Sequence, residues 1–174
     1  MLRVLLFFLA LSCLFTLGVA IGAHFNLHPL PQNVTADRVL VEKSARRLTL
    51  LRDDRPLKTY RVALGRAPMG PKEQEGDQRT PEGIYVIDFH KADSDYHRAL
   101  HVSYPEQRDI DRATAAGVPP GCDIMIHGIR NGKGWIGAFH RLTDWTAGCI
   151  AVTDAEIEEI WRAVADGTEI EIRP

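Results

Sequence analysis

From Arg38 onward, short apolar runs of period two alternate with polar turns. "RVLVEKS" (38–44) and "RRLTLLR" (46–52) alternate or cluster Val and Leu as strands do, and Asp53-Asp54-Arg55-Pro56 separates the second from "LKTYRVALG" (57–65). These runs predict a meander of short strands. The polar, Gly- and Pro-rich "RAPMGPKEQEGDQRTPEG" (66–83) predicts a long exposed loop, and such loops in compact domains tend to serve function. "IYVIDFH", "ALHVSY" and "DIMIHG" supply further strands, while "PEQRDIDRATAAGVPPG" reads as a mostly polar connection with room for a helical turn. One long helix is predicted: Thr153 caps it, Glu156 bonds back to complete a capping box, Ile157, Ile160, Trp161 and Val164 share a face, and Gly167 ends it. "TEIEIRP" then alternates as a final strand. The pattern is that of a mainly β domain over residues 38–174, with no internal repeat.

The period breaks down at the N-terminus. Residues 1–23 carry one charge, Arg3, followed by an apolar run and small residues at Gly18, Ala20 and Ala23. This predicts a signal peptide or, since the run is about as long as a membrane-spanning helix needs, an N-terminal anchor. Either places the domain outside the cytoplasm. Residues 24–37, with "HPLPQNVTAD", read as a linker.

Composition adds little, since 45% hydrophobic and 25% charged residues over 174 positions are ordinary globular values. Charge excludes one class of partner: without residues 1–23 the chain holds 20 basic and 23 acidic residues, so it lacks the basic footprint of a nucleic-acid binder. Only Cys122 and Cys149 then remain, too few for a disulfide scaffold, although a bridge between them would silence any thiol chemistry.

The candidate chemistry lies in "IMIHGIRNGKGWIGAFHRLTDWTAGCIAV" (124–152). His127 ends an apolar run and Cys149 follows Gly148, an arrangement open to three readings. In the first, His127 takes the thiol proton of Cys149, Gly148 permits a tight turn and close approach of substrate, and backbone N–H groups there stabilise an oxyanion. In the second, Cys122, His127, His140 and Cys149 form a zinc site, although their spacing lacks the C-x-x-C pairing of structural zinc. In the third, both residues are buried side chains without chemistry, the usual fate of a free cysteine.

"TPEG" (80–83), "HG" (127–128) and "TAGCIAV" (146–152), in this order and at these separations, resemble the catalytic domain of the L,D-transpeptidase (YkuD) family. The resemblance covers roughly Arg38 to Pro174. It implies a β-sandwich of mixed sheets with one helix after the catalytic cysteine. It also implies Cys149 as nucleophile, His127 as base, the Gly128 carbonyl as the group that orients it, and Thr146 as the family's Ser/Thr three residues before the cysteine. The chain departs from the commoner pattern at Ala147 and Ala151, and "DWTAGCIAV" looks more like a divergent branch.

The activity so implied is cofactor- and metal-free acyl transfer in the periplasm or on the outer face of the inner membrane. A peptidoglycan stem peptide acylates Cys149 and passes to an amine, giving a 3-3 cross-link or attachment of an outer-membrane lipoprotein. A hydrolase at the same site and a non-catalytic wall-binding module are the alternatives. Arg130, Lys133 and Arg141 are candidates to meet stem carboxylates, and Trp135 and Trp145 to line the cleft. His140 is a second candidate base. A working imidazole–thiol pair is expected to titrate below the ordinary cysteine value of about 8.5.

Overall fold

The computed structural model describes residues 28–174 and, before them, Ser12; the expected export segment lies outside the described residues. Among the described residues, no helix is long and apolar enough to cross a membrane.

The predicted meander is present as β1 (Ala36–Glu42), β2 (Arg47–Arg52) and β3 (Arg55–Arg61). Then come β4 (Gly83–Ser94), β5 (His97–Val102), helix α1 (Gln107–Ala115), β6 (Met125–His127), a 3-10 segment (Gly134–Leu142), β7 (Ile150–Ala151), helix α2 (Asp154–Ala163) and β8 (Val164–Arg173). The eight strands run in the order β3-β2-β1-β8-β4-β5-β6-β7, parallel at β1/β8 and β6/β7 and antiparallel elsewhere. The mainly β, mixed-sheet architecture is therefore as expected.

β4 makes the sheet fold over. Its residues Gly83–Val86 pair with β8, and from Ile87 onward it pairs with β5. The two halves enclose one core that includes Leu48, Leu50, Ile87, Ile126, Ile150 and Ile170. The curl closes where the chain after β3 meets the site: Ala63 exchanges both backbone hydrogen bonds with Ala151, at 2.9 and 2.8 Å, and Gly65 bridges to Thr146.

Three boundaries differ from expectation. The polar connection after β5 holds a full helix, α1, in which Asp109 and Ala113 are the buried residues, so it carries no apolar stripe to announce it. α2 has its Thr153–Glu156 capping box but stops at Ala163, because Val164 already pairs with Ala36 in the sheet. Gly167 (φ 89°) then serves the irregularity between the Ala36/Val164 and Arg38/Glu169 pairs, not a helix end. Third, the stretch read as linker is part of the fold from at least Leu30, which is buried and donates its backbone N–H to Glu159 at 2.8 Å.

The 66–83 loop is ordered by buried cations. Lys43 reaches the carbonyls of Gly70 and Thr80 and the Glu82 carboxylate, at 2.6, 2.9 and 2.8 Å. Lys72 pairs with Asp77 at 2.8 Å. Lys43 thereby fixes "TPEG" at both Thr80 and Glu82.

Candidate active site

β6 and β7 are adjacent and parallel, with His127 in register with Ala151. Side chains alternate along a strand, so Cys149, two residues before Ala151, shares that face. Both line one cavity of about 1010 Å³.

The Nδ1 of His127 lies 2.7 Å from the carbonyl oxygen of Gly128. A carbonyl only accepts, so Nδ1 carries the proton and Nε2 presents its lone pair. Tyr96 packs against the ring at a centroid distance of 4.5 Å and Trp145 meets it edge-on at 5.7 Å. Burial, opposed by the Gly128 bond, lowers the His127 pKa to about 4. A side chain at Gly128 would collide with Asp154, its Cβ 2.8 Å from Oδ1, and that same oxygen accepts the N–H of Ile129 at 2.8 Å.

Cys149 is a half-buried free thiol whose Sγ–H donates to the Asp123 carbonyl at 3.4 Å. Burial pushes its pKa up, partly offset by a backbone hydrogen bond from Met125. The two shifts favour a neutral thiol beside a neutral imidazole. Both shifts run against the expectation of a pair titrating below the ordinary cysteine value, because burial penalises the charged form of each group.

The turn before Cys149 is internally bonded. Thr146 Oγ1 accepts the Gly148 N–H at 3.1 Å and donates to the Cys149 carbonyl at 2.8 Å. Thr146, a candidate substrate-binding residue as well as the family's Ser/Thr, lines the cavity while its hydroxyl holds the turn. Gly148 is corrected in part. Its φ of 139° and its closeness to the Arg79 carbonyl, 2.7 Å from where a Cβ would stand, explain the glycine. Its N–H, however, is taken by Thr146. Among the described residues the N–H of Cys149 has no hydrogen-bond partner, which leaves it able to meet an oxyanion. Asp144 ties the turn to the sheet through the Leu64 N–H at 2.9 Å and Arg46 at 2.9 Å.

The remaining candidates divide. Arg130, Lys133, Trp135 and Trp145 line the cavity. Arg141 does not: it is ion-paired with Glu156 in the first turn of α2, which removes it from the predicted carboxylate-binding set. His140 lines the cavity and accepts the Trp145 Nε1–H at Nδ1, at 3.3 Å. Its Nε2 is buried without a partner, which costs about 1–3 kcal/mol. Cys122 is a free, exposed thiol bonded to its neighbour Asp123 at 3.2 Å, so it does not bridge Cys149. Among the described residues, no group of three or more His, Cys, Asp or Glu is placed to hold a metal.

Sequence reasoning missed Tyr96, Asp123, Arg66 and Lys91, all of which line the cavity. They come from the β4–β5 turn, the approach to β6, the chain beyond β3 and β4. No local pattern links those segments to Cys149.

The family model for the L,D-transpeptidase catalytic domain (YkuD) matches residues 36–172. The chain is 30% identical over 110 residues to the Escherichia coli K12 protein named "Putative L,D-transpeptidase YafK", covering 62% of this chain and 37% of that protein. The helical cell shape determining protein Pgp2 from Campylobacter jejuni is similar in fold, with a TM-score of 0.59 at 24% identity over 81% of this chain and 48% of that one. Bdellovibrio bacteriovorus Bd1075 is also similar, with a TM-score of 0.55 at 23% identity over 86% and 52% of the two chains. The chain thus aligns with about half, or less, of the length of these relatives.

Proposed function

The chain belongs to the L,D-transpeptidase catalytic-domain family, and on that premise we propose that it is an exported cysteine acyltransferase acting on peptidoglycan stem peptides. The observation that carries the reading is the bond from His127 Nδ1 to the Gly128 carbonyl, which turns an unprotonated Nε2 toward the cavity shared with Cys149.

The chemistry follows from those protonation states. Cys149 Sγ attacks the carbonyl carbon of the third stem residue as its proton passes to His127 Nε2. The Cys149 N–H meets the oxyanion. As the tetrahedral adduct collapses, the C–N bond breaks, His127 returns the proton to the departing D-amino acid, and a thioester remains. An amine then attacks the thioester, gives a proton to Nε2, and displaces the thiolate, which recovers that proton. An amine on a second stem yields a 3-3 cross-link, a protein lysine yields a tethered lipoprotein, and water yields hydrolysis.

Neutral groups suit a cycle in which both steps need His127 first as base and then as acid. Residues 1–23 would deliver the domain to the cell-wall side of the membrane as a cleaved signal or an anchor. The test is to incubate the protein with defined disaccharide tetrapeptides and resolve the products by mass. Joined peptides with loss of one D-amino acid support transfer; unchanged peptides at all enzyme concentrations contradict the proposal.

A further inference from the structure

His140 has one ring nitrogen accounted for and one not. A tryptophan indole N–H can only donate, so the 3.3 Å contact from Trp145 Nε1 fixes His140 Nδ1 as acceptor and puts the proton of the neutral ring on Nε2. That N–H is buried and meets no acceptor. Buried donors are nearly always satisfied. Among the described residues the other buried, unpartnered side-chain nitrogens belong to Arg38 and Arg141, whose guanidinium groups are ion-paired elsewhere. His140, a residue 8% exposed, is the one that forms part of the cavity wall that also holds His127 and Cys149.

The cavity has a charge preference. Arg66, Lys91, Arg130 and Lys133 line it with no ion-pair partner among the described residues, against Asp95 and Asp123. A ligand bearing carboxylates is favoured there. We propose that His140 is a specificity-determining residue whose Nε2–H donates to a carboxylate oxygen of the bound peptide.

Nε2 has no solvent contact, so the proposal requires the 134–142 segment to shift when the carboxylate binds. The two turns of that segment meet at Gly137, whose φ of 52° and ψ of −141° suit glycine at a pivot. The Trp145 bond keeps the imidazole in the tautomer that donates. His127 remains the base, since His140 has no partner that would turn an acceptor nitrogen toward Cys149.

The inference rests on the stem-peptide reading above, and paired substitutions separate it from a purely structural role. His140→Asn keeps an acceptor near Nδ1 for Trp145 and lacks the distal N–H. His140→Gln keeps a donor near Nε2 and lacks the proximal acceptor. Binding is measured by calorimetry in the full chain carrying Cys149→Ala, with tetrapeptides whose carboxylates are free or singly amidated, and thermal unfolding verifies that each variant is folded.

The expected result is about tenfold weaker binding of the free peptide for His140→Asn and binding within about twofold of the parent for His140→Gln. One amidated peptide should bind parent and His140→Asn equally. Unchanged binding in folded His140→Asn, or a loss confined to His140→Gln, overturns the proposal. Should the parent bind none of the peptides and the active enzyme turn none over, the functional reading fails together with this one. Turnover by the active enzyme with unaltered His140→Asn binding removes only the role of His140.

Discussion

His127 donates from Nδ1 to the carbonyl oxygen of its own neighbour Gly128, at 2.7 Å. The bond settles the tautomer within a single peptide unit and requires no acidic residue to do so. In the proposed mechanism the base is therefore set by backbone geometry and kept neutral by burial.

The pH dependence of acylation is the first consequence. His127 must be neutral to accept the thiol proton, and its pKa is lowered to about 4. The kcat/KM of the free enzyme should therefore fall on the acid side near pH 4, not near the ordinary histidine value of about 6.5. Alkylation of Cys149 by a neutral reagent should titrate above the free-thiol value, because burial raises its pKa. An acid limb near 6.5, or an alkylation midpoint below about 8.5, would show an ion pair instead.

Stability should follow the same histidine. Folded His127 titrates near 4 and the unfolded chain near 6.5, so between these values the unfolded state binds more protons. The stabilisation from keeping His127 neutral is complete above about pH 6.5 and is lost as pH falls toward 4, by about 3 kcal/mol. His140, also lowered to about 4 by burial, adds to the loss. Urea midpoints should decline across this window, and His127→Phe should decline less. A wild-type midpoint flat from pH 7 to 4 would contradict the assignment.

Thr146 acts through the turn. Its hydroxyl bonds Gly148 N and Cys149 O, so Thr146→Ser should retain both bonds and most activity. Thr146→Val leaves a buried donor and acceptor unpaired, a cost of about 1–3 kcal/mol each, and should reduce kcat about tenfold or more as the nucleophile loses its placement. Thermal unfolding and steady-state kinetics on the two variants decide this. A Val variant with wild-type kcat and a raised KM would return Thr146 to substrate binding.

Much of this could be read along the chain, where local physics decides. Alternating Val and Leu mark β1 and β2, the Thr153–Glu156 box starts α2, and glycines beside His127 and Cys149 mark the tight backbone around them. What escaped depends on tertiary partners. α1 buries an aspartate and an alanine, so its period carries no hydrophobic signal. Val164 leaves the helical pattern because Ala36 pairs with it. Arg141 resembles any loop cation until Glu156 is placed beside it. Tyr96 reaches His127 only because β4 turns back as β5.

The central claim is that Cys149 carries the acyl group, and intact-protein mass spectrometry after mixing with a stem tetrapeptide tests it most directly. The account predicts a thioester adduct equal to the peptide less its terminal D-amino acid, mapped to Cys149, present in Cys122→Ser and absent in Cys149→Ala. An adduct that persists in Cys149→Ala, or one that maps to Cys122, would contradict it.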